Sequence, residues 1–192
     1  MQLNKFIYLI LSIYYFSGEL NIAATECKED SAKTTDIDNI INSKETRLMQ
    51  AARSGNIDQV RTLLKAGAKI NIKYQGKTAL NIAASYGHYE IVNILIEYNA
   101  DVNEQDNNGN TPLILTIKAL ADIKNKERFT IYQLKLETYE SIIKALINAK
   151  ANLNITVESG NITALDIAKA EKLNSIFEML LDAGAEFQVR FH

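Results

Sequence analysis

The chain has 192 residues, 47% of them hydrophobic and 23% charged, which is the composition of an ordinary globular domain and excludes a disordered tail. A formal net charge of −2 provides no global field for nucleic acid or an anionic membrane surface. With one cysteine, Cys27, no intrachain disulfide can form, so packing alone must hold the fold.

Met1 to Gly18 has the layout of a secretory signal peptide: Lys5 supplies the positive start, and Phe6 to Gly18 is uncharged around the apolar run Phe6-Ile7-Tyr8-Leu9-Ile10-Leu11. That run is too short to span a bilayer as a helix. The small residues Gly18, Ala23 and Ala24 follow, but Phe16 and Ile22 spoil a small-x-small cleavage signature. Export after cleavage is therefore the expectation, with an uncleaved anchor or a buried N-terminal helix as the alternatives. Residues 25–36 are polar and read as a linker in which Cys27 is an unpaired thiol. Glu26 stands where a lipid-modified cysteine would be preceded by a small residue. Asp36 to Ile41 is expected to form a short cap over the segment that follows.

From there the sequence repeats itself. Thr46, Leu48, Ala51, Ala52, Gly55, Val60, Leu63, Ala68 and Asn71 recur 32 residues later as Thr78, Leu80, Ala83, Ala84, Gly87, Val92, Leu95, Ala100 and Asn103. Thr111-Pro112-Leu113 opens a third copy and Thr163-Ala164-Leu165 a fourth. Each copy reads as two helices. The threonines are placed to N-cap the first helix, and Pro112 falls at a first helical position where a missing N–H costs nothing. Ala51, Ala83 and Ala168 are small where neighbouring helices approach. Gly55 and Gly87 suit a left-handed turn between helices, and Gly67, Asn99 and Gly184 a left-handed helix end. The second helices carry apolar residues at helical spacing: Ile57, Val60 and Leu64, then Ile91, Ile94 and Leu95, then Ile142, Leu146 and Ala149, then Ile176, Met179 and Leu180.

This period and the T-P-L core resemble the ankyrin-repeat family from Ser43 to Glu186. The resemblance implies an all-α ankyrin-repeat solenoid of about four helix-turn-helix repeats. With the N-terminal layout above, the chain divides into a signal peptide or hydrophobic anchor (1–24), a linker and N-terminal cap (25–42), repeats at about 43–71, 72–103, 104–154 and 155–186, and a tail (187–192). The resemblance also implies contact with another protein through a concave face and projecting β-turn tips. Carried onto this sequence, the contact positions are Arg53 and Ser54 in the first copy. The second offers Tyr74, Gln75, Lys77, Ser85 and Tyr86, and the third Asn107, Asn108, Asn110 and Lys118. Tyr74 and Tyr86 are the best anchors, although Tyr86 packing between repeats is an equal alternative.

The third copy departs from the pattern. Thr111 and Thr163 are 52 residues apart, and about 18 extra residues lie around Leu120 to Thr138. Thr130-Ile131-Tyr132-Gln133 reads as a capping box, with Phe129 and Leu134 as a hydrophobic staple. The expectation is an extended helical insertion: a long second helix from about Ile131 to Ala149, with Lys124, Lys126 and Arg128 in the loop before it. An idle solvated insertion and a partner-specific protrusion both remain open. Lys150 and Lys172 replace glycine at turn positions, where a left-handed Lys costs about 1–2 kcal/mol, so the Lys150 junction is expected to close differently. Lys169 stands where other copies have Ala, as suits an end repeat.

No constellation for catalysis emerges. His88 follows Gly87 where ankyrin repeats commonly carry His, and His192 is the last residue; neither has a cysteine or serine partner at plausible spacing. Glu104 to Gly109 imitates a calcium loop, but Leu115 occupies the closing position where Glu is required. Asp36 and Asp38 are a carboxylate pair only on paper. The reading is a non-enzymatic protein-binding module without cofactor, metal, nucleic-acid or small-molecule partner, and exported as an adaptor or effector. The alternative is a periplasmic or membrane-tethered chaperone-like or inhibitory subunit, with the membrane involved only if the N-terminal segment is uncleaved.

Overall fold

A computed structural model describes residues 46–157 and 161–187. The leader, the linker with Cys27, the Asp36–Ile41 cap and His192 lie outside the described residues. Among these residues the secondary structure is eight helices: α1 (Arg47–Ser54), α2 (Ile57–Lys65), α3 (Ala79–Tyr86), α4 (Tyr89–Glu97), α5 (Pro112–Lys126), α6 (Phe129–Asn148), α7 (Ala164–Ala170) and α8 (Asn174–Asp182). They form four antiparallel pairs. The first helices α1, α3, α5 and α7 pack in one row, and α2, α4 and α6 in a second. The fourth pair joins the third through α5 and α7.

Each first helix starts because a threonine hydroxyl takes up an orphan N–H. Thr46 accepts from Met49 N at 3.2 Å, Thr78 from Asn81 N at 3.2 Å, Thr111 from Ile114 N at 3.3 Å and Thr163 from Asp166 N at 3.2 Å. All four threonines are buried, so an unmade bond there would be costly. Between the rows runs one apolar interior, from Leu48 and Met49 through Ile91, Ile114 and Ile142 to Leu165 and Leu180. Ala51, Ala83 and Ala168 have no exposed surface, which is the close approach their size permits.

The second helices end in one repeated motif. A residue with left-handed backbone donates three residues back, and its apolar successor donates five back, taking two orphan carbonyls. Gly67 (φ 85°), Asn99 (φ 63°) and Gly184 (φ 89°) do so. Lys150 does as well, at φ 64°, and the expectation of a different closure there is corrected. The bonds Lys150 N to Ile147 O (2.9 Å) and Ala151 N to Leu146 O (3.0 Å), with Ala151 buried behind them, outweigh the strain. Lys172 (φ 52°) closes the turn after α7 in the same way, with Leu173 buried.

An asparagine rung then ties each pair to the next. Asn71 Oδ1 accepts from Asp101 N at 3.0 Å, Asn103 Oδ1 from Asn152 N at 2.7 Å, and Asn154 Oδ1 from Glu186 N at 3.0 Å.

The insertion has the expected long second helix, but helix replaces most of the loop expected before it. Leu120 stands where the register calls for a glycine, and it is fully buried. With no left-handed residue to turn on, α5 runs 15 residues where α3 has eight. The chain reverses in two residues, Glu127 and Arg128, and α6 runs for 20. Lys124 and Lys126 are therefore in the last turn of α5, and Arg128 is the N-cap of α6. The Thr130 capping box does not form, because the chain is already helical at Phe129 and the cap carries no side-chain bond. Phe129 and Leu134 are 75% and 79% exposed and make no staple.

The hairpin is braced on the second pair by Tyr139. A Cβ on Gly55 would lie 2.8 Å from the His88 ring, and one on Gly87 would lie 3.0 Å from the Tyr139 ring. His88 Nε2 donates to Arg53 O at 3.1 Å, and Tyr139 Oη to Ser85 O at 3.2 Å. Tyr139 thus repeats, one pair along, what His88 does. Its burial raises the phenol pKa above the usual 10.0. Because the folded value is the higher one, its stabilising contribution is complete below the ordinary phenol range and is lost as pH rises through the raised value. Tyr139→Phe is expected to cost about 1 kcal/mol at neutral pH and to flatten the alkaline limb of the stability curve. Urea denaturation at neutral pH and at successive pH values above 10 checks both parts.

Candidate functional site

The side of the stack on which first helices and turns share a surface collects most of the sequence-derived positions. Arg53, Ser54 and Lys118 are exposed there and Ser85 is half-buried. Tyr86 is 51% exposed, so it does not simply fill the space between pairs. Its hydroxyl accepts from an Arg53 guanidinium nitrogen at 2.9 Å, and Arg53 Cζ lies 5.5 Å from the ring centroid. The His88 ring stacks alongside, with centroids 6.2 Å apart and planes 12° from parallel. Since His88 Nε2 also donates to the Arg53 carbonyl, residues of two pairs fix one aromatic ring at the surface. Ser54 and Ser85 hydroxyls donate back to carbonyls of their own helices, Ala51 O and Ile82 O.

The turn tips are built from local chemistry. Gln75 (φ 50°) and Gly76 (φ 75°) are consecutive left-handed residues, and Tyr74 and Lys77 exchange backbone bonds of 3.0 Å across them. A Cβ on Gly76 would sit 2.6 Å from Asn107 N, so only glycine lets the first tip lie against the second. Lys73 pairs with Glu104 and donates to Gln105 O at 3.1 Å, which strengthens that contact. Tyr74 is half-buried and its hydroxyl accepts from Gln75 Nε2 at 3.1 Å, which makes it a lesser anchor than Tyr86.

In the second tip, the buried Asp106 carboxylate accepts from Asn108 N and Asn110 N, each at 2.9 Å, and from Asn110 Nδ2 at 3.0 Å. These bonds account for the calcium-loop likeness as an Asp-organised turn. Asn110 is corrected as a contact residue: it is 4% exposed, held by Asp106 on one side and accepting from Lys118 Nζ on the other. Asn107 and Asn108 remain exposed.

Where α5 passes α7, this same side opens a cavity of about 460 Å³. Ala121, Ile162, Ile167 and Ala170 give it an apolar lining, and Lys118, Asp122, Asn125, Asp166 and Glu171 its polar one.

The three cations assigned to the insertion part ways. Lys124 is committed to the fold: its Nζ donates to Glu171 O at 2.7 Å and Lys172 O at 2.8 Å, closing the C-terminus of α7. Asn125 Nδ2 adds a bond to Glu171 Oε2 at 3.0 Å. Lys126 makes an exposed pair with Asp122 at 3.5 Å, and Arg128 is exposed.

Tyr139, Asn125 and Glu171 went unnoticed in the sequence. Tyr139 carried a usable signal: His88 and Tyr139 are 51 residues apart, as are Ile91 and Ile142, or Asn103 and Asn154. Asn125 and Glu171 carried none, since their contact spans two pairs.

A profile of ankyrin repeats (3 copies) matches residues 20–106 and 48–126, together more than half of the chain. The protein YahD of Escherichia coli (strain K12), whose name gives it an ankyrin repeat, is 28% identical over 131 residues, covering 68% of this chain and 56% of YahD. The similarly named L371 of Acanthamoeba polyphaga mimivirus is 28% identical over 149 residues, covering 66% of this chain and 19% of that protein. Human GA-binding protein subunit beta-2 is 44% identical over 50 residues, covering 26% of this chain and 11% of that subunit. The chain thus spans about half of YahD and a fifth of L371.

Lys124→Ala removes the donor from two helix-end carbonyls and is expected to cost about 1–2 kcal/mol. Lys126→Ala, in an exposed pair, should stay within about 0.5 kcal/mol. Denaturant midpoints of the two variants side by side check the difference.

Proposed function

The chain belongs to the ankyrin-repeat family, and from that premise we propose that it is an exported adaptor or effector which holds a partner protein against its first-helix face and turn tips. Ankyrin repeats are a protein–protein interaction module, and this reading assigns the chain no catalysis, cofactor or nucleic acid.

One observation carries it. Tyr86 is a large aromatic left half in solvent while Arg53 and His88 hold it in a single orientation. Interface energy concentrates in aromatic and arginine side chains, and a ring that is already fixed loses little further entropy on binding. The neighbouring cavity between α5 and α7 opens on the same side. Among the relatives, the human protein is by name a subunit.

Export rests on Lys5 followed by the uncharged Phe6–Gly18 stretch, which precedes the described residues. The second reading, a tethered chaperone-like or inhibitory subunit, is favoured by the spoiled cleavage signature at Phe16 and Ile22. Mass spectrometry of the N-terminus separates the two: a start within residues 19–25 supports release, and an intact Met1 in the membrane fraction supports tethering.

Proximity labelling in the native host, followed by binding measurements with the labelled protein, tests the face. The Arg53→Ala/Tyr86→Ala double variant is expected to keep its helical circular-dichroism spectrum and to bind about 30-fold more weakly. A partner held equally well by that variant would place the binding surface elsewhere.

A further inference from the structure

The fourth pair has one side that no described helix covers, and it differs there from an inner pair at the same register. Residues 85 positions apart correspond in the second and fourth copies, as Leu80 and Leu165 or Leu95 and Leu180 do. Ile82 and Val92 are buried in the stack, whereas their counterparts Ile167 and Phe177 are only partly buried. Leu181, one turn on from Phe177, holds the place of Ile96, which borders Ala145 and Ala149 of α6. Ala84 has no exposed surface, and its counterpart is the exposed Lys169. A lysine in that place keeps a further helix from the close approach that Ala52 and Ala84 permit, so an extended segment fits where a helix does not.

Phe187 already lies on this side. Its ring centroid is 6.0 Å from that of Phe177, and Lys169 Nζ is 4.9 Å from it. The backbone just before it is fixed by the bond from Glu186 N to Asn154 Oδ1 and by the buried Ala185. Phe187 is still 46% exposed, so it begins a cover and does not complete one. From there the sequence alternates: Phe187, Val189 and Phe191 are apolar, and Gln188, Arg190 and His192 are polar. In an extended chain that places three apolar side chains on one side. The connection after α2 has the same alternation at the same distance from its helix, in Ile70, Ile72 and Tyr74, and all three pack against the apolar interior. Four residues of extended chain span about 13 Å, which matches the length of the nine-residue α8.

We propose that the open side of the fourth pair is the docking surface for this chain's own residues 188–192, which lie outside the described residues. Val189 and Phe191 continue from Phe187 as an extended strap over Phe177 and Leu181, and Gln188 and Arg190 face water. The strap takes the place of a fifth pair: it removes the remaining apolar surface of α8 from solvent and denies that surface to a second copy of the chain. The first-helix side is left as the surface open to other proteins.

The chain has no tryptophan, so Gln188→Trp, Val189→Trp, Arg190→Trp and Phe191→Trp in the full chain each give a single reporter. Acrylamide is expected to quench the indole at positions 189 and 191 at least about threefold less than at 188 and 190. Adding Phe177→Ala to the Phe191→Trp chain should remove most of that protection. Separately, Val189→Ser/Phe191→Ser should lower the thermal midpoint by about 3–5 °C, and Gln188→Ser/Arg190→Ser by no more than about 1 °C. Where Phe177→Ala does not fold, as circular dichroism would show, the midpoints of the two double variants decide. Equal quenching at all four positions overturns the proposal, as do equal midpoints for the two double variants. So does protection at 191 that survives Phe177→Ala, or protection that grows with protein concentration because a second copy covers the surface.

Discussion

Every helix pair in this chain leaves an apolar side that only the next pair can cover, and the architecture follows from that constraint. Small residues must stand where first helices meet, as Ala51, Ala83 and Ala168 do with no surface exposed. The turn between helices must leave room for a ring from the following pair, and glycine at positions 55 and 87 leaves it for His88 and Tyr139. Buried threonine caps then satisfy backbone groups that stacking removes from water, and exposed asparagine rungs tie each pair to the next.

The insertion obeys the same constraint. Its extra residues lengthen both helices of the third pair and leave the contact positions below in register. Tyr139 reaches the second pair and Lys124 the fourth, so the longest excursion in the described chain also ties three pairs together. A lysine closing the end of a neighbouring helix also shows why charge in an insertion does not by itself signal a free contact surface.

Two surfaces of different character result. The first-helix side holds Tyr86 between Arg53 and His88, with tips that lean on one another through Gly76 and Asn107. It is ordered before any partner arrives, which suits protein recognition. The hairpin end instead exposes the apolar side chains Phe129 and Leu134.

The sequence by itself determined the helical pairs, their caps, their left-handed turns and the apolar residues between them. It could do so because these features repeat contacts that are local or one period away, and each leaves the same residue type at the same offset. It misjudged what depended on neighbours. The capping box at Thr130 matched a local pattern, but Leu120 in place of a turn glycine carried α5 on and moved the helix start. Lys150 turned left-handed despite its side chain, because two hydrogen bonds and the buried Ala151 outweighed the strain. Asn110 looked like a tip residue until folding placed it between Asp106 and Lys118. Only the tertiary structure decided the partners of Lys124 and Asn125, since their contacts run from the inserted turns of α5 to the fourth pair and have no counterpart one period away, whereas Tyr139 kept the 51-residue offset to His88 that the insertion gives its whole helix.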